Sequence, residues 1–434
     1  MIARLAMALA CAALWLAGPV AAQPSDDIPK AAGDTAPDAP AEPDPAPIVP
    51  PIVAPIVDAP PTEPTVTELP GAPVPASPQP SRFTRSLAGS VQLDYLAVPT
   101  DRRVRRGALD GASVELSLKL AVDIGRHTAN VKVCVACHGP EFGMANVELR
   151  AFDELNARVG RFTPSFGSFP IRHDPANHRT SDKPLPYDMG RMLEYQEWNE
   201  GILPAPWVDN GLEIFGSHFI GAHQIDYAAY AIGGPKGTAD RGDFDYTLSR
   251  SGERYYIDNN SQPTVGGRFG LTLRLSADSL LSLGASTMAG HYDPDARLGF
   301  LITGADLVLQ LGRLFLRAEY LGRWTEIDTQ SASRYKYALP DNNEDAFVFK
   351  DGFYAELEVP VGRVDLIARW DGLRRFGNVL ATSSLRSRSV VLRYTAGAAI
   401  GIGHGMRIKT SVEAYDFSDL DDQLAIHVGL VGSF

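Results

Sequence analysis

From Ser90 onward the chain repeats one pattern: an alternating stretch, a short turn, a second alternating stretch, a longer loop. In the stretch from Ser113, residues Val114, Leu116, Leu118, Leu120, Val122 and Ile124 share one face of an extended chain. Glu115, Ser117, Lys119 and Asp123 share the other with Ala121. The same period of two sets Leu314, Leu316, Ala318 and Tyr320 against Arg317, Glu319 and Arg323. It sets Phe353, Ala355, Leu357 and Val359 against Tyr354, Glu356 and Glu358, and Val390, Leu392, Tyr394 and Ala396 against Arg393 and Thr395. A water-soluble sheet also alternates, with its polar face outward. Here the apolar faces are nearly pure and the polar faces carry charges of both signs, which suits lipid outside and water inside. Runs of about 9–12 residues match a tilted strand crossing a bilayer. The pattern therefore predicts an all-β fold, an antiparallel transmembrane β-barrel.

The strands are placed near 89–97, 112–124, 129–135, 142–152, 155–163, 210–220, 224–233, 265–276, 280–291, 299–311, 314–326, 352–361, 363–375, 388–400, 406–417 and 424–434. Sixteen is an even number, as closure of a single-chain bacterial barrel requires. Short turns such as Gly125-Arg126-His127, Gly221-Ala222-His223 and Gly403-His404-Gly405 alternate with long polar connections such as 234–264 and 326–351. The short turns are expected on the periplasmic side. His127, His223 and His404 are then surface residues of those turns. The last strand keeps Leu424, Ile426, Val428, Leu430 and Phe434 on one face and ends on the aromatic Phe434, as the C-terminal signature of bacterial outer-membrane proteins does.

Residues 1–22 read as a secretory signal peptide: Arg4, an apolar run from Leu5 to Leu16, and small residues at Val20-Ala21-Ala22. Residues 23–82 hold 18 of the 33 prolines among Ala, Val, Asp and Glu, and predict a disordered, acidic, semi-rigid linker. Its Pro-Ile-Val repeats at 50–57 also suit a wall-spanning or partner-docking arm. The barrel region, 83–434, is the third segment. An overall charge of −12 speaks against a nucleic-acid partner. No nucleophile–base arrangement or phosphate-binding glycine loop is present, so no enzymatic function is expected.

Cys11 falls within the signal peptide, so the mature chain keeps two of its three cysteines, and both lie in Cys134-Val-Ala-Cys137-His138. This Cys-X-X-Cys-His pattern is that of covalent c-type haem, with two thioethers and His138 on the iron. Attachment needs a helix-like curl, so the strand is expected to end near Cys134. Cys134 shares its phase with Lys132, toward the lumen. Met144, His173 and His178 are the candidates for the distal ligand. A loop disulfide or a metal site are the other readings. Two thiols and one imidazole leave zinc a ligand short.

The stretch Phe142-Gly-Met-Ala-Asn-Val-Glu-Leu-Arg-Ala-Phe152 followed by Leu155-Asn-Ala-Arg-Val-Gly-Arg-Phe-Thr-Pro-Ser-Phe-Gly167 resembles the phosphate-selective porins O and P. That resemblance implies an outer-membrane channel of a Gram-negative bacterium that passes small polar or anionic solutes and is often a homotrimer. It also implies that the connection from Pro164 to Asp209, which carries His173, His178, Met189, Met192, Trp198 and Trp207, folds inward and narrows the pore. Arg161 stands where the family has Gln, and 83–434 is net acidic, so a strong anion preference is not implied. Lys132, Arg158, Arg268, Arg274, Arg317, Arg369, Arg393, Arg407 and Lys409 fall in lumen phase, answered by Glu115, Glu319, Glu356, Glu358 and Glu413. The expectation is a mixed-charge lumen, or charges that pair across neighbouring strands. In plan, a single haem in a porin also resembles the fused monohaem cytochrome-porins, whose motif precedes the barrel. That likeness implies electron transfer across the outer membrane with a periplasmic cytochrome as partner. The apolar band is about 25 Å tall, so one haem at the rim does not cross it alone.

Overall fold

The computed structural model describes residues 83–99, 111–136, 139–152, 154–188, 201–238, 243–244, 249, 256–328, 347–376, 388–418 and 421–434. The predicted signal peptide, the Pro-rich segment, Cys137, His138, Met189, Met192 and Trp198 lie outside them.

Eighteen strands are described in chain order: β1 (Phe83–Ala97), β2 (Gly111–Ile124), β3 (His127–Ala136), β4 (Gly139–Phe152), β5 (Leu155–Phe162), β6 (Asp209–Ile220), β7 (His223–Ile232), β8 (Gly237–Thr238), β9 (Asp243–Phe244), β10 (Thr264–Ser276), β11 (Ser279–His291), β12 (Gly299–Leu311), β13 (Leu314–Glu326), β14 (Phe347–Val361), β15 (Val364–Phe376), β16 (Arg388–Gly403), β17 (Met406–Phe417) and β18 (Gln423–Ser433). Sixteen of them form one closed barrel. Each pairs antiparallel with its neighbours in the chain, β7 pairs with β10, and β1 closes on β18. Short β8 and β9 form a separate two-stranded ladder in the connection between β7 and β10.

The predicted phases are those of the wall. Leu93, Val114, Leu118, Val147, Tyr320, Leu366 and Val428 are exposed on the outer face, while Gln92, Asp94, Ser117, Asn146, Glu319 and His427 are buried on the inner one. Closure leaves no strand edge, and the apolar outer face needs hydrocarbon around it. The chain is therefore an outer-membrane β-barrel. β1 begins six residues earlier than predicted, because the long β2 is paired along its whole length, from Leu96↔Gly111 down to Phe83↔Ile124. At the short-turn end Phe434 and Gly89 exchange both backbone hydrogen bonds at 3.1 Å, which ties the C-terminus into the closing seam.

The apolar core is inside the lumen. Phe162, Phe166, Phe169, Leu185, Tyr187, Ile202, Leu203 and Trp207 pack against inward wall residues including Met288, Ile302, Leu321, Tyr354 and Leu373. Most of the contributing wall residues lie toward the long-loop ends of their strands. The lumen is thus apolar where the β5–β6 connection fills it, and charged below.

Candidate functional site: a loop bound into the lumen

The connection 163–208 leaves β5 through a backbone that glycine permits. Gly160 has φ +119°, and a Cβ there would collide with the carbonyl oxygen of Ala145 and come within 3.0 Å of Asn146 Cα. Arg158 pairs with Glu213 and donates to Thr163 O at 3.1 Å, and its guanidinium lies 4.8 Å from the Phe162 ring centroid. Glu213 in turn accepts from Ser165 N at 2.8 Å and Ser165 Oγ at 3.0 Å. The Val-Gly-Arg-Phe-Thr-Pro-Ser stretch is therefore a hinge fixed at the wall.

Beyond it, one carboxylate gathers the loop. Glu319, buried on β13, accepts from Ser168 N at 3.0 Å, Ser168 Oγ at 2.8 Å, Tyr187 OH at 2.6 Å and Tyr354 OH. Phe169 stacks on Tyr187 with ring centroids 5.3 Å apart. Gly167 sits against this hub at φ +65°, and a Cβ there would strike both Tyr187 OH and Glu319 Oε2. Gly167→Ala is expected to destabilise the loop by about 1–3 kcal/mol from the left-handed backbone alone. Faster limited proteolysis within the lumen loop, with the barrel intact, would check this.

A second hub is cationic. Arg393, fully buried on β16, grips Asp371 on β15 with two nitrogens and donates also to Asp182, to Glu413 Oε2 at 3.3 Å and to Tyr415 OH at 3.1 Å. Asp371 accepts from Leu185 N at 3.0 Å. Arg369 donates to Thr180 Oγ1 at 2.9 Å and to Asp182 O at 3.2 Å. Lys409 donates to Gln92 Oε1 at 3.0 Å, Thr180 O at 3.2 Å and Pro175 O. Lower in the barrel Arg179 bridges Glu358 at 3.0 Å and Asp365 at 2.8 Å, and Arg407 donates to Ala176 O at 3.2 Å. The loop thus bonds β13 to β17, and it also reaches β11 through Gly167 and β1, β2 and β3 through Ser181, Asp174 and His173.

All nine predicted lumen cations have lumen phase, but they divide. Arg369, Arg393 and Lys409, expected to line water, are sealed beneath the loop, because the loop's carbonyls and carboxylates take the place of solvent. Arg317 pairs with Glu356 and Glu358 on adjacent β14, and Arg268 with Asp306 at 2.6 Å. Arg274 remains exposed.

Around the cysteine motif the structure differs from the expected curl. β3 continues to Ala136, paired with Gly139, and Cys134 lies in the ladder opposite Ser117 and Glu141. The outward alternation of Val131, Val133 and Val135 carries the strand past Cys134, since stopping there would withdraw Val135 from the apolar face. The Cys134 thiol is free and half-buried. Lys132, one lumen position below, bonds His173 Nε2 at 2.9 Å and Asp174. Met144 is opposite Lys132 across a register shift. The structure therefore brings Lys132, His173 and Met144 near the strand of Cys134. It places His178 elsewhere, buried with its ring centroid 6.0 Å from that of Phe169.

Sequence reasoning missed Asp182 and Tyr187 on the loop, and Asp94, Asp371, Tyr354 and His427 on the wall, as members of these networks. Asp371, Tyr354 and His427 do carry a signal, a polar residue in lumen phase. Asp182 and Tyr187 carry none, since an irregular loop has no period.

No family model matches the sequence, and no curated protein matches it. Among solved structures the chain is similar to OmpT of Vibrio cholerae in its trimer form (8% identity, 81% of this chain and 99% of that one, TM-score 0.49). It is also similar to the outer membrane channel DcaP of Acinetobacter baumannii (10% identity, 81% and 97%, TM-score 0.48) and to an anion-selective porin from Comamonas acidovorans (11% identity, 81% and 100%, TM-score 0.47).

Proposed function

We propose that the protein is a porin-like channel that admits small polar solutes through a lumen narrowed by residues 163–188 and 201–208. The observation that carries this reading is the closed sixteen-strand wall with an apolar outer and a charged inner face, to which a loop is bound from inside. Part of the lumen wall keeps small or polar residues such as Gly270, Thr272 and Ser282, with Arg268–Asp306 as a charge pair. Balanced pairs favour a weak charge preference over a strong anion selectivity of the O/P type. Liposome swelling with sugars of graded size tests the reading. Small sugars are expected to enter, with a sharp size limit. Liposomes that do not swell with the smallest sugar, although the barrel is inserted, would refute it.

A second reading rests on the free, lumen-facing thiol of Cys134 beside Lys132 and His173. In it Cys134 and Cys137 carry one c-type haem, His138 binds the iron, and Met144 or His173 offers the distal ligand, giving an electron conduit to a periplasmic cytochrome. Cys134 is extended between Ser117 and Glu141, so attachment in this reading requires the last pairs of the β3–β4 ladder to open. Expression with haem-maturation machinery decides it. A pyridine haemochrome signal that survives denaturation and disappears in Cys134→Ala supports the haem reading, and its absence from the wild-type chain removes it.

A further inference from the structure

Behind the lumen loop, Asp182 of the loop, Glu413 of β17 and His427 of β18 converge, all three buried, with one ligand atom of each within 4.8 Å of the others. His427 Nδ1 meets Asp94 Oδ2 of β1 at 2.9 Å. A carboxylate on Nδ1 holds the proton there and leaves the Nε2 lone pair free to bind, the arrangement that orients metal-ligating histidines. Nε2 has no hydrogen-bond partner and faces Glu413 Oε2 at 3.9 Å, too far for a hydrogen bond. Glu413 Oε1 is also without a hydrogen-bond partner, with Arg369 Nη2 at 3.8 Å.

The charges point the same way. Asp94, Asp182, Asp371 and Glu413 bring four carboxylates to this region. Arg369, Arg393 and Lys409 bring three cations, and Lys409 is turned to Gln92 and loop carbonyls. A divalent cation here would lie beside buried carboxylates, where unbalanced charge is costly.

We propose that Asp182, Glu413 and His427 bind a divalent first-row cation of the zinc class, oriented by Asp94, and that the ion fastens the lumen loop to the wall. One imidazole and two carboxylates suit such an ion and leave a position for water.

The test uses the full chain, untagged, folded into detergent with Cys134 and Cys137 replaced by alanine so that thiols take up no metal. Zn2+ binding is measured by calorimetry and by elemental analysis after dialysis. The expected result is one saturable equivalent, with affinity reduced about ten-fold or more in His427→Ala, in Asp182→Ala and in the positioning variant Asp94→Asn. Heat-modifiable migration of each variant confirms that its barrel is folded. In planar bilayers Zn2+ is expected to quiet the current of the parent and not that of Asp182→Ala, a loop variant that leaves both wall ligands in place. The absence of saturable uptake by the parent overturns the proposal. So does uptake that His427→Ala and Asp182→Ala leave unchanged, or a His427 imidazole that titrates identically with and without Zn2+.

Discussion

Glu319→Ala is expected to raise single-channel conductance severalfold while leaving the barrel folded. The carboxylate accepts two hydrogen bonds from Ser168 and one each from Tyr187 and Tyr354, all in a buried setting. Truncation orphans those donors, and at about 1–3 kcal/mol for each of the loop's three buried donors left unsatisfied the loop loses roughly 3–9 kcal/mol of attachment. The wall loses less, because the backbone ladder of β13 with β12 and β14 does not depend on the side chain. The aromatic stack of Phe169 on Tyr187 is then held only by apolar contact, and the segment around 165–169 loosens from β13 while 174–185 stays bound to Arg369, Arg393 and Lys409. Glu319→Gln keeps two lone-pair acceptors on one oxygen and is expected to fall between. Bilayer recordings of the three proteins check the order. Equal conductance in all three would mean that the apolar core alone holds the loop.

Arg393→Met is the second substitution with a large expected effect, and it acts on stability. Its guanidinium is the counter-charge of Asp371, Asp182 and Glu413 at once, fully buried, with Tyr415 beside it. Removing one partner of a buried ion pair costs about 3–5 kcal/mol because the other charges stay behind uncompensated. The transition from folded to unfolded migration on heating is expected to fall markedly. Arg393→Lys is expected to recover little, since an ammonium cannot fork onto both oxygens of Asp371 while reaching Asp182. A transition temperature unchanged in Arg393→Met would show that solvent enters the site and screens it.

The two hubs also explain how much of the molecule was legible beforehand. The wall follows from alternation alone: each outward Leu, Val or Tyr faces lipid two residues from the next, and a slip of one residue would expose a whole strand's charges to hydrocarbon. Glu319 and Arg393 were legible as lumen residues for the same reason. What they bind was not. The loop that meets them contains Asp182 and Tyr187 at positions set by prolines, tight turns and short 3-10 segments such as Leu185–Tyr187, with no repeating period to read. Its inward course was expected only through the porin resemblance, and its residues make the lumen's apolar core, which wall periodicity does not reveal. At the cysteine motif two signals point to different backbones. Cys-X-X-Cys-His argues for a curl at 134, but Val131, Val133 and Val135 argue for a strand, and in the structure the ladder runs on to Ala136↔Gly139. Local chemistry and sheet periodicity disagree at those five residues, and periodicity prevails in the described part.

The folded sixteen-strand barrel is expected to conduct through a lumen narrowed by residues 163–188 and 201–208. Single-channel recording of the wild-type full chain in a planar bilayer tests it most directly, with Glu319→Ala in the same lipid as the reference. The account predicts discrete, ohmic openings in the wild type, smaller than those of the variant. A wild-type protein that inserts as a folded barrel and passes no current at any voltage would contradict it, and would make the lumen loop a plug.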